Sequence, residues 1–141
     1  MSAIADARTT LYDALVAGLE ALPAWRVHRV SPTQLVAPCV YLDAVEIGID
    51  TSIGAGLVVC TFPVVMVHDG TMRPQIEGLD DLLAAVWTAA ARAGGDPQAS
   101  RPLSLDVGGP SLRAHVLRVE MFVTAIAMCA PSLVTAGGSR V

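Results

Sequence analysis

The stretch Leu57–Val67, "LVVCTFPVVMV", is almost uninterrupted hydrocarbon, and polar chemistry resumes only at His68 and Asp69. In an extended strand, successive side chains point to opposite faces. Val58, Cys60, Phe62, Val64 and Met66 therefore share one face, and Leu57, Val59, Thr61, Val65 and Val67 share the other. Both faces are apolar. A chain of 141 residues builds one core, so helices can cover the first face while the second needs cover from elsewhere. Pro63 has no amide proton for a ladder, which predicts that this strand lies at an edge or carries a bulge. Two-sided apolarity beside an interrupted edge points to a neighbouring subunit.

Composition raises the same demand. Apolar residues supply 53% of the chain and charged residues 16%, against about 45–50% and about 25% in ordinary soluble domains. Membrane is a poor sink for the surplus, because a spanning helix needs about 20 consecutive apolar residues. The 57–67 run is too short, and 121–136 is broken by Thr124, Pro131, Ser132 and Thr135. The amino terminus, "MSAIADARTT", lacks the basic-then-apolar pattern of a signal peptide. Partner protein is the better sink. The formal charge is −4, and all nine basic residues are arginine. An acidic chain without a basic cluster is unsuited to gripping nucleic acid, where phosphate neutralisation supplies most of the affinity. Cys39, Cys60 and Cys129 sit singly in apolar segments without CxxC spacing, as reduced, buried residues of a cytosolic fold do.

Periodicity predicts two helices. Ser2 can cap the first, whose stripe is Ile4, Leu11, Leu15, Leu19 and Leu22, with Pro23 after it. Leu79, Leu82, Leu83, Val86, Trp87 and Ala90 mark the second, placed after a "DGTMRPQ" loop, with Asp80 and Asp81 near its start and Gly94-Gly95 as its stop. Strands are expected at Trp25–Val30, at Leu35–Gly48 on both sides of Pro38, at the apolar run, at "LSLDV" after a 96–102 loop, and from Leu112 to about Met128. Helices with single stripes can cover one face of an antiparallel sheet. The expected fold is an α+β two-layer sandwich, a mostly antiparallel sheet of four to five strands with two helices on one face. A single domain over 1–128 is followed by an extended tail over 129–141.

Catalytic constellations are hard to find. GxSxG, HExxH, Walker-type and GxGxxG motifs are missing from the sequence. His28, His68 and His115 fall on three different strands, and core cysteines beside strand-end histidines are the plain reading. No catalytic, cofactor or metal residue is assigned. Arg113 and Arg118 fall on opposite faces of the last strand, with Glu120 on the Arg118 face, suited to cross-strand or intersubunit ion pairs or to plain solvated charge. The candidate subunit-interface residues are Val59, Thr61, Val65, Val67, Arg113, Arg118 and Glu120.

The layout resembles the tail terminator (tail-completion) proteins of long-tailed bacteriophages over nearly the whole chain. The resemblance rests on "LYDALVAGLEALPAWRVHRV", then "VAPCVYL" leading into a strand and an extended hairpin loop. It continues with "VVMVHDG", "GLDDLLAAVWTAA", and the closing pair "LSLDVGG" and "LRAHVLRVEMFVTA". The resemblance implies a non-enzymatic virion protein without cofactors, assembled in the host cytoplasm and found at the tail–neck junction. It implies a hexameric ring that stops polymerisation of the major tail tube protein and meets head-completion or neck proteins. DNA would pass through the ring without specific binding, and an acidic channel would avoid holding it; Asp43, Glu46 and Asp50 are the channel-lining candidates. Two alternatives stand beside it. One is a head-completion, neck or minor tail protein of related fold. The other is a small cytosolic enzyme or ligand-binding α+β domain, for which His68 and Asp69 are the first residues to mutate.

Overall fold

In the computed structural model, which describes residues 2–49, 57–68, 74–105 and 112–124, with side chains at all of these except 49, 74–78, 112 and 124, the chain opens with helix α1, Ala3–Gly18. The Ser2 hydroxyl accepts from the Ala5 amide at 3.1 Å, satisfying one of the donors that a helix start leaves free. Leu11, Leu15 and Leu19 are buried, and Ile4 and Leu22 extend the same stripe. Burial of one such leucine contributes about 2 kcal/mol. The remaining elements are β1 (Arg26–His28), β2 (Cys39–Leu42), β3 (Glu46–Ile49), β4 (Leu57–His68), α2 (Pro74–Arg92), β5 (Asp96–Leu105) and β6 (Leu112–Thr124).

The sheet has six strands, one more than the upper expectation, in the order β1-β2-β4-β6-β5, with β3 also paired to β4. Only β1–β2 is parallel. Both helices pack on one face. Leu11, Leu15, Leu82 and Val86 close over Val40, Leu42, Cys60, Phe62, Val64, Met66, Leu117 and Val119. The α+β two-layer sandwich is therefore the fold. The helices approach closely where Gly18 faces α2, since a Cβ there would stand 2.9 Å from the Ala89 Cβ. Gly94 ends α2 at φ 82°, a conformation glycine adopts without strain.

β4 is a central strand, not the edge that Pro63 suggests. One side of it pairs with β6 along its whole length, from Leu57↔Thr124 to His68↔Arg113. The other side is shared end to end by β2, along Val64–Val67, and β3, along Val58–Thr61. Pro63 falls between them. Its carbonyl accepts from the Asp43 amide at 2.9 Å, so its nitrogen faces the break between β2 and β3, where no ladder donor is required. The expected single strand Leu35–Gly48 is for the same reason two short ones. Two further boundaries move. β5 begins at Asp96, where a loop was expected, and α2 begins at Pro74, a residue suited to a first helical position. Asp80 and Asp81 consequently lie in the second turn, exposed and beyond the strongest influence of the helix dipole.

The second face of the apolar run is half covered from within the chain. Val65 and Val67 are 2% and 0% exposed, in a cluster with Cys39, Tyr41, Ala114 and Val116 closed over by Leu35, Ala37 and Leu105. The interface candidates Val65 and Val67 thus lie buried within the chain, in a cluster against which Leu35 and Ala37 pack. Leu57, Val59, Thr61 and Pro63 are only half-buried.

Candidate interaction face and cleft

Strand register lays out the helix-free face in rows, since directly paired residues point the same way. One row is Glu46–Thr61–Glu120–Asp96, running across β3, β4, β6 and β5. The next, toward the Leu57 end, is Gly48–Val59–Phe122. Phe122 is 41% exposed, an unusual exposure for a phenyl ring on a sheet beside half-buried Val59 and Leu57. Apolar area rimmed by acids is the composition of an interaction patch. Thr61 and Glu120 lie in the row beside it, both half-buried, so Val59, Thr61 and Glu120 remain together as interface candidates. Phe122 joins them. Alternation along β6 places it on the Arg118–Glu120 face, and that periodicity is the signal by which the sequence reveals it.

Arg118 is committed within the chain. Its guanidinium donates to both carboxylate oxygens of Glu46, reaching past β4 from β6 to β3. The two side chains are 39% and 58% exposed, so the pair contributes at most about 1 kcal/mol. It also neutralises the Glu46 carboxylate within the chain. Asp43 is exposed, and its carboxylate accepts from the Ala44 amide at 2.8 Å. Asp50, Asp69, Cys129 and the 129–141 tail lie outside the described residues.

Arg113 belongs elsewhere. It stands opposite His68 on β4 and Ser104 on β5, on the helix-covered face and apart from Arg118. Arg113, His68, His115 and Ser104 line a cleft of about 560 Å³ with Leu79, Pro102, Leu103 and Ala114. The His68 and His115 ring centroids are 6.3 Å apart. The Nδ1 atoms of both rings are buried and have no hydrogen-bond partner among the described residues. Burial lowers the pKa of His115, and neighbouring His68 lowers it further. Sequence reasoning separated these histidines by strand, and only the β4–β6 register brings them together.

Cys39 and Cys60 are not poised as nucleophiles. Cys39 lies in the helix-free cluster and Cys60 in the helix-covered core, and burial raises both thiol pKa values. A further arginine cluster has a structural task. Arg8 of α1 donates to the carbonyls of Arg29, Leu42 and Asp43 at 3.2, 3.1 and 3.0 Å, with its guanidinium 5.1 Å from the Phe62 ring centroid. Arg29 returns a bond to the Thr9 hydroxyl and another to the Ala5 carbonyl. Together they tie α1 to the ends of β1 and β2. Burial, followed by Arg29, lowers the Arg8 pKa.

Among the described residues no group of three or more His, Cys, Asp or Glu side chains converges as metal ligands, and no helix is long and apolar enough to cross a membrane. No family model matches the chain. No curated protein matches it in sequence.

Proposed function

We propose that this chain is a tail terminator: a structural virion subunit that forms a hexameric ring on the end of a phage tail tube. The ring stops tube polymerisation and joins the tail to head-completion or neck proteins. The resemblance of layout along nearly the whole chain is the starting point, and the two-layer α+β architecture is compatible with it. The observation that carries the reading is the uncovered end of the helix-free face. There Val59 and Phe122 stand side by side with Leu57 near them, next to the Glu46–Thr61–Glu120–Asp96 row. A second copy seated there would cover apolar area that the described residues leave in water. The net charge of −4 suits a ring through which DNA must slide without sticking. Of the channel candidates, Asp43 is the more apt, since Arg118 neutralises Glu46.

Electron microscopy of tails assembled with and without the chain tests this reading. Tubes of uncontrolled length in its absence, restored to uniform length when it is supplied, are the expected outcome. Uniform tubes in both preparations would refute it.

A further inference from the structure

We propose that the cleft between β4, β5 and β6 is a binding site for a small oxyanion group, a phosphate or a carboxylate, held by Arg113, His68, His115 and Ser104. The proposal is independent of the ring reading, because these residues lie on the helix-covered face and Val59, Phe122 and Glu120 on the other.

Four observations converge on it. Register places Ser104, Arg113 and His68 in one row across β5, β6 and β4, with His115 in the adjacent row. Their side chains line one cleft of about 560 Å³. Both imidazoles carry a buried Nδ1 without a hydrogen-bond partner among the described residues, whereas buried polar atoms ordinarily have one. Among the described residues the lining has one permanent cation, two ionisable imidazoles, one hydroxyl and no carboxylate. That donor set suits a negative ligand. A guanidinium gives paired, charge-assisted hydrogen bonds to a planar or tetrahedral oxyanion. The hydroxyl and imidazole N–H groups supply the rest. A divalent metal is the weaker fit. Only two imidazoles are available among the described residues, and the Arg113 charge opposes a second cation.

Binding should take up protons. Among the described residues the charged or titratable lining groups are His68 from β4 and Arg113 and His115 from β6; β5 contributes Pro102, Leu103 and Ser104, and α2 contributes Leu79. An anion among these groups favours imidazolium and offsets the burial that disfavours it at His115. For a carboxylate ligand, which stays ionised throughout, affinity therefore rises as pH falls from about 7.5 to about 6, through the histidine range.

Histidine ring resonances of the full chain, followed by nuclear magnetic resonance at constant ionic strength, test the site. Inorganic phosphate and acetate are titrated separately. His28, on the opposite face of the sheet, is the internal reference. Saturable shifts of His68 and His115 with His28 unmoved, tighter at pH 6 than at pH 7.5 where acetate is the ligand, are expected for at least one anion; which one saturates identifies the source of the oxyanion. Arg113→Gln should weaken binding about tenfold or more, while Arg118→Gln should leave it unchanged. Linear shifts for both anions, or equal responses of the two arginine variants, would overturn the proposal. So would micromolar Zn²⁺ moving the two histidines while both anions fail to do so.

Discussion

Val59 and Val65 project from the same face of β4 and differ in what covers them. Val65 is sealed beneath the 35–37 segment, and Val59 is half-buried beside Phe122. Val65→Asp places a carboxylate in a filled apolar cluster and should cost about 3 kcal/mol or more, read as a loss of stability in urea. Val59→Asp should cost about 1 kcal/mol or less and act on assembly instead. His115 supplies a pH dependence. Its folded pKa is lowered from the ordinary 6.5, so near and below that pH the unfolded chain binds more protons than the folded one. Stability should then fall as pH drops below about 6.5 toward the lowered value. His115→Gln should flatten that part of a stability–pH profile measured by urea unfolding.

At the scale of elements, α1 and its arginine pair give a separate test. Arg8 satisfies three carbonyls at the ends of β1 and β2, so Arg8→Met should destabilise the fold by about 1–3 kcal/mol. Arg8→Lys should rescue only part of this, because a single ammonium cannot reproduce the planar fork. Gly18→Val should separate α1 from α2, since even a Cβ would meet the Ala89 Cβ at 2.9 Å; a fall in melting temperature would register it. Both helices were legible in the sequence because Leu11, Leu15, Leu82 and Val86 repeat at helical spacing, a local signal. The sheet was legible only in class. The break between β2 and β3 depends on the Asp43 amide meeting the Pro63 carbonyl, a contact between distant segments. The first part of β5, expected as a loop over 96–102, was hidden by Pro97 and Pro102, tolerated on an edge strand whose register shifts between Pro97 and Ser100. The histidine pair was invisible for the same reason as the strand pairing: it exists only once His68 of β4 and His115 of β6 are in register. Phe122 could be read from β6 alternation, whereas the covering of Val65 and Val67 by residues 35–37 could not.

At the scale of the molecule, the helices claim one sheet face and the 35–37 segment covers part of the other, so that among the described residues the patch around Val59 and Phe122 is left. The proposed assembly depends on that patch and on no catalytic group. The native mass of the chain at roughly 10–50 μM, a range in which micromolar self-association is populated, tests it most directly when measured beside Phe122→Asp. The account predicts a closed oligomer of six copies for the wild-type chain, and a single-chain species for Phe122→Asp with an unchanged melting temperature. A wild-type chain that runs as a single copy, or a Phe122→Asp variant that assembles as the wild type does, would contradict it.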